Sequence, residues 1–225
     1  MPLSAMLYLP IPSPTPLPRF IMSCGAKSTT RSYLHVLYVG AFFALLALGV
    51  RATFGLFMQP MGLHHGWGRD VFSLAFAIQN LVWGVGSIGM GILADRYGAG
   101  RTIALGAALY ALGMLGLRFA TDEVSLYLTA GVLVGLGQAG TTFPVILPVV
   151  ARAVPPAYRS TAMGIASAGG SVGQFAVVPT GQLLISTMDW TGALWVLSLF
   201  IAFSVPLAWV MRGRAQSHAG EQSLA

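Results

Sequence analysis

The sequence predicts an all-α membrane protein with six transmembrane helices. Of its 225 residues, 56% are hydrophobic and only 8% are charged, against roughly 25% charged residues in a soluble domain. Mean hydropathy is +0.75. The few charges fall in short clusters between apolar runs of about 20 residues, long enough as helices to cross a hydrocarbon core of about 30 Å. Within lipid the backbone must satisfy its own hydrogen bonds, so such runs fold as helices.

Residues 1–32 should form an irregular cytoplasmic N-terminus. Pro2, Pro10, Pro12, Pro14, Pro16 and Pro18 prevent a continuous helix, and a signal peptide's basic start and unbroken apolar core are missing. The polar lead-in that opens at Met22 is the expected biological start. A first span follows over residues 33–57, with a loop from Gln59 to Asp70 that carries His64 and His65. The second span covers 71–93 and the third 102–120, ending before Thr121-Asp122-Glu123. In the fourth, 125–150, Gly131, Gly135, Gly137 and Gly140 make a smooth face for close helix contact, and Pro144 and Pro148 should kink its second half. The fifth, 161–185, carries Gly169, Gly170, Gly173, Pro179 and Gly181. The sixth is 190–211, and a polar tail, 212–225, follows.

Six crossings put both termini on one side. Arg19, Lys27, Arg31, Arg96, Arg101, Arg152, Arg159, Arg212 and Arg214 then share that side, and Arg69 and Arg118 lie opposite. The positive-inside rule makes the first side cytoplasmic. Cutting the chain after the third span gives two three-helix blocks of opposite orientation, a 3+3 inverted repeat. The net charge of +6 is therefore topological; its basic residues are scattered singly and make no nucleic-acid surface. The single cysteine, Cys24, excludes an internal disulfide, and two adjacent histidines are too few for a metal site. No metal or cofactor is expected.

The most charged turn is Gly91-Ile92-Leu93-Ala94-Asp95-Arg96-Tyr97-Gly98-Ala99-Gly100-Arg101. A carboxylate and two guanidinium groups beside hydrocarbon are costly unless paired, so a hydrogen-bonded charge cluster is expected there. Gly91, Ala94 and Gly98 would let neighbouring helices approach it. This run resembles the loop signature between helices 2 and 3 of the major facilitator superfamily. Gly91, Leu93, Ala94, Asp95, Arg96 and Gly98 match in place, and the usual basic pair is reduced to Arg101. The stretch Leu126 to Gly137 is similar to the fourth helix of the monocarboxylate porters in that superfamily. The stretch Ala168 to Gly173, through Pro179 to Trp190, is similar to their fifth helix and the opening of their sixth. The acidic, glycine and tryptophan motif that opens the first helix in animal members is absent, which places the chain nearer the bacterial relatives and leaves the individual acid open. The helix-4 arginine and helix-5 Gly-Pro pair of proton-coupled drug exporters are also missing.

The resemblance covers residues 33–212, an amino-terminal six-helix half. It implies secondary active transport by alternating access in a bacterial inner membrane. The implied partners are the lipid bilayer, a small organic anion and a second six-helix half, either another copy or a separately encoded chain. The alternative is a non-transporting fragment or subunit. An enzyme is not expected, because no nucleophile–base grouping or paired carboxylates fall within the spans.

Arg51 is the sharpest candidate for the substrate site. A guanidinium inside a helix costs roughly 2.5 to 3.5 kcal/mol on insertion scales, and the first span has no carboxylate to neutralise it. Gln79, Asn80, Gln138, Thr141, Thr142 and Gln174 are the amides and hydroxyls at membrane depth that could orient an anion beside it. As helix-to-helix hydrogen bonds, the same groups would only join the bundle. Arg159 is expected to pair with Asp95 across the cytoplasmic side, closing an inner gate with Arg96 and Arg101 nearby.

Overall fold

A computed structural model of the chain describes residues 26–211. The expectations for the Pro-rich start and the polar tail lie outside these residues. The described chain is entirely helical: α1 (Ala26–His65), α2 (Arg69–Tyr97), α3 (Ala99–Arg118), the short α4 (Glu123–Leu126), a π-helical segment (Tyr127–Leu133), α5 (Val134–Thr141), α6 (Phe143–Ala153), a 3-10 turn (Pro156–Tyr158), α7 (Arg159–Ser204) and a closing 3-10 turn (Pro206–Met211). Five stretches are long and apolar enough to cross a membrane: Leu34–His65, Arg69–Tyr97, Ala99–Arg118, Glu123–Ala153 and Pro156–Trp209.

The last of these has 54 residues, about 80 Å of helix at 1.5 Å per residue. It is not one rod. Asp189 sits at φ 66°, ψ 166°, a non-helical conformation, and the contacts on either side of it run in opposite senses. Before the break, Gly169 lies against Ala41, Gly173 against Leu45 and Gly181 against Thr53, so this arm runs parallel to α1. After it, Trp190 meets His64 near the end of α1, and Met211 reaches Gly40 near its beginning. The chain reverses at Asp189.

The first helix is longer than its apolar run suggests. It begins within the stretch expected to be irregular and continues through Pro60 into the expected loop. Pro60 removes one donor, but the final turn is held from outside. The His65 ring stacks on Trp67 with centroids 4.3 Å apart, and His64 and His65 lie 5.5 and 5.9 Å from Trp190. The two histidines are thus helical residues in an aromatic cluster.

Close helix contact depends on glycine in two places. A Cβ on Gly140 would come within 2.9 Å of the Gly106 Cα, and one on Gly173 would overlap the Leu45 carbonyl. Real Cβ atoms do not approach so closely, so only glycine lets these helices meet backbone to backbone. The first contact locks α3 antiparallel to α5: Gly106 faces Gly140, Gly113 faces Val134 and Gly116 faces Thr129. The second helix runs parallel to the fourth stretch, with Gly131 on Ile78 and Gly86 on Ala139. Asp122 starts that stretch with a capping box; its carboxylate accepts from the Ser125 N–H at 3.3 Å and its N–H donates to the Ser125 hydroxyl at 3.2 Å.

Candidate functional site

The polar residues at membrane depth divide into one connected cluster and several outliers. Arg51 occupies the middle of α1. From Arg51 to His65 the helix runs on for another 14 residues, about 21 Å, which removes the short route to the outer interface that a helix end at residue 57 would offer. Its Nη2 donates to the Asn80 Oδ1 at 2.7 Å, and Asn80 returns its own Nδ2 to the Phe76 carbonyl at 2.8 Å. The guanidinium also lies over the Trp83 ring, 5.0 Å from its centroid, within the range of cation–π attraction. Asn80 and Trp83 are three residues apart on α2, so both reach α1 from one face.

Trp83 extends the cluster to the fourth stretch. Its indole Nε1–H donates to the Thr142 hydroxyl at 3.0 Å, and that hydroxyl donates to the Gln138 carbonyl at 2.7 Å. Thr142 is extended, at φ −112° and ψ −170°, and separates α5 from α6. The interruption expected from the prolines therefore falls two residues before Pro144. On the remaining side, the Tyr110 hydroxyl of α3 donates to the Ala47 carbonyl at 3.1 Å, one turn before Arg51, with the Gln138 amide alongside. The ring of groups runs Arg51, Trp83, Thr142, Gln138, Tyr110 and back to α1.

Inside that ring several atoms lack partners. The Arg51 Nε is buried and makes no hydrogen bond among the described residues; the Gln138 amide, also buried, has the Tyr110 hydroxyl as its neighbour but no hydrogen bond of good geometry. Unpaired buried polar atoms are expensive. A polar guest beside the guanidinium would satisfy its Nε. The only ion pair among the described residues joins Asp95 and Arg152, so no carboxylate within that set neutralises Arg51.

Other sequence candidates stand apart. Gln79 neighbours Asn80 in sequence but points elsewhere; its unpaired amide borders an apolar cavity of about 10 Å³ with Phe54, Phe57, Phe76 and Leu126, room for about one water. Thr141 bonds its own helix at the Gly137 carbonyl, 2.8 Å. Gln174 is exposed on the first arm of α7 and is joined to the cluster by no hydrogen bond. Trp83 and Tyr110, which complete the ring, carry no signal in the sequence beyond an aromatic side chain in an apolar helix.

The charged turn has a partner other than the expected one. Asp95 pairs with Arg152 at 3.7 Å, while Arg159 turns back to the Val154 carbonyl at 3.4 Å. Arg152 wins because it sits in the last turn of α6, whereas Arg159 opens the next helix and is drawn into its own connecting loop. Both members of the pair are well exposed, at 44% and 63% of the side chain, so its net contribution is at most about 1 kcal/mol. Arg96 and Arg101 are exposed and outside it; no buried charge cluster forms. Gly98 supports the turn itself, with φ 94° and its N–H on the Ala94 carbonyl at 3.0 Å, a conformation open to glycine. A Cβ on Gly91 would meet nothing, so Gly91 mediates no helix approach.

The profile of the Major Facilitator Superfamily matches residues 37–224, which takes in every helix described above apart from the first turns of α1. The chain belongs to the major facilitator superfamily. Among its relatives, rat (Rattus norvegicus) monocarboxylate transporter 13 is 33% identical over 168 residues, 71% of this chain and 37% of that protein. Human (Homo sapiens) monocarboxylate transporter 11 is 31% identical over 165 residues, 72% of this chain and 34% of that protein. An Arabidopsis thaliana protein described as probable anion transporter 4, chloroplastic, is 32% identical over 153 residues, 64% of this chain and 28% of that protein. The chain thus spans roughly a third of the length of these relatives. Superfamily membership is consistent with a transporter rather than an enzyme, and the several apolar helices make the chain an integral membrane protein.

Proposed function

We propose that the chain is one six-helix half of a secondary active transporter for a small organic anion, a monocarboxylate being the best fit, working by alternating access against a second half. The observation that carries this reading is Arg51: a guanidinium in mid-helix, held by an amide and an aromatic ring, with its own Nε buried and unpaired. Neutral holders leave its charge available, and a carboxylate is the ligand such a fork binds best. The printed names of the relatives, monocarboxylate and anion transporters, agree in substrate class.

Six crossings and a 3+3 repeat are supported by the reversal at Asp189 and by the pattern of neighbours. The first helix packs parallel to the first arm of α7 and antiparallel to its second. The fourth stretch packs parallel to α2 and antiparallel to α3. Exchanging the two three-helix blocks turns each of these contacts into the other, as an inverted repeat requires. The second half would cover the open side of α2, of which only 22% is buried in its most apolar window. Asn80 is exposed on that helix, as Gln174 is on the first arm of α7. Basic residues at the α2–α3 turn and the α6–α7 loop put both termini in the cytoplasm. There Asp95, Arg96, Gly98, Arg101 and Arg152 form the gating end, and Arg159 braces the neighbouring loop.

The test is binding of labelled short monocarboxylates to the chain in lipid nanodiscs. Arg51→Ala should weaken binding at least tenfold, and Arg51→Lys, which keeps the charge but loses the fork, should lie between. Wild-type affinity in both variants would rule the anion site out.

A further inference from the structure

Trp83 makes two different contacts with one side chain. Its face covers the Arg51 guanidinium, 5.0 Å from the centroid, and its edge N–H holds the Thr142 hydroxyl at 3.0 Å. Thr142 is the residue at which the fourth stretch stops being helical. The next residues restart a helix whose first N–H groups have no side-chain cap, and Pro144 removes a donor that could have carried the ladder back to Gly140 across the break. The Thr142 carbonyl accepts from the Val145 and Ile146 N–H groups at 3.1 and 3.2 Å, bonds that start the new helix without tying it to α5. A break of this kind bends easily unless something outside the helix holds it. The holder that the structure supplies is the indole of the neighbouring helix.

The Arg51 Nε and the Gln138 amide are closed off from solvent, and the indole of Trp83 lies against the guanidinium, its ring centroid 5.0 Å from Cζ.

We propose that Trp83 is a latch, a positioning residue that couples occupancy of Arg51 to bending of the fourth stretch at Thr142. An incoming carboxylate engages the guanidinium in place of the ring, the indole turns away, and its bond to Thr142 is lost. With the latch open, α6 pivots about Thr142 relative to α5, and the cytoplasmic ends of the fourth stretch and the Asp95–Arg152 contact move with it. The coupling step rests on the anion-binding reading above; the holding of the break by Trp83 does not.

Hydrogen–deuterium exchange of the full chain in nanodiscs tests both parts. Trp83→Phe keeps an aromatic face and removes the N–H. It should speed exchange in peptides covering residues 138–146 about fivefold, the factor set by one hydrogen bond of ordinary net strength, without changing those from α3. Thr142→Val should do the same, Thr142→Ser should restore the wild-type rate, and the double variant Trp83→Phe with Thr142→Val should add nothing further. Should Trp83→Phe fail to fold, the Thr142 pair decides alone. Adding acetate, pyruvate or benzoate, with chloride at equal ionic strength as control, should speed the same peptides in the wild type and have no effect in Arg51→Ala. Unchanged exchange in Trp83→Phe or Thr142→Val, or an increase that extends equally to α3, overturns the latch whatever the anions do. Anion binding that depends on Arg51 but leaves 138–146 unaltered overturns the coupling and leaves the transport reading standing. Failure of every anion to bind the wild type, with Trp83→Phe still speeding exchange, overturns the transport reading and the coupling with it.

Discussion

Gln79 and Asn80 show how much one residue of helix rotation decides. Both were candidates because an amide in an apolar run is unexpected, yet about 100° of turn separates them. Asn80 reaches Arg51, whereas Gln79 faces an apolar cavity with both amide atoms unpaired. A buried polar group without partners costs about 1–3 kcal/mol, so Gln79→Met should stabilise the protein. Its thermal midpoint in detergent should rise by roughly 2–4 °C for each kcal/mol recovered; a fall would show that the amide has a partner. Arg51 was legible because it breaks the hydropathy of its own span. Trp83 was not, since a tryptophan among Leu, Val and Gly reads as packing, and its partner Thr142 lies 59 residues away. The choice of Arg152 over Arg159 for Asp95 had no sequence signal either: both arginines flank one loop, and only the helix ends decide which side chain faces α2.

At the scale of elements, composition revealed where helices lie better than where they stop. Pro60 and the polar residues after it read as a loop, but α1 is anchored by aromatic contacts with Trp67 and Trp190, which depend on tertiary structure. The π-helical segment Tyr127–Leu133 and the break at Thr142 left little trace beyond glycine and proline content. The small-residue faces were legible, and they bear directly on stability. Gly140→Val would drive a side chain into the Gly106 backbone. It should therefore lower the thermal midpoint by more than 5 °C, given a cost of about 1–3 kcal/mol or more for overpacking. Asp189 is the opposite case. Its φ of 66° with an extended ψ is a region that glycine alone occupies without strain, at a cost of order 1–3 kcal/mol for other residues. Asp189→Gly should raise the midpoint by a few degrees, and a lowered midpoint would mean that the aspartate contributes more to the turn than its backbone costs.

For the whole molecule, the account depends on the reversal at Asp189. It divides the 54-residue final stretch into two arms that flank α1 in opposite directions. That arrangement surrounds Arg51 with α2, α3 and the fourth stretch and leaves one face of α2 and of the first arm of α7 exposed. The hydropathy of the chain already separated these arms, because the polar residues around Asp189 interrupt the apolar run. Their packing against α1 could not be read without coordinates. The most direct test is sided labelling with a membrane-impermeant maleimide in sealed vesicles, in a Cys24→Ser background. Single cysteines would replace Tyr97, Tyr158 and Met188, which are 58%, 63% and 57% exposed. The account predicts that Tyr97→Cys and Tyr158→Cys label from one side of the membrane and Met188→Cys from the other. Labelling of Tyr158→Cys and Met188→Cys from the same side would contradict it.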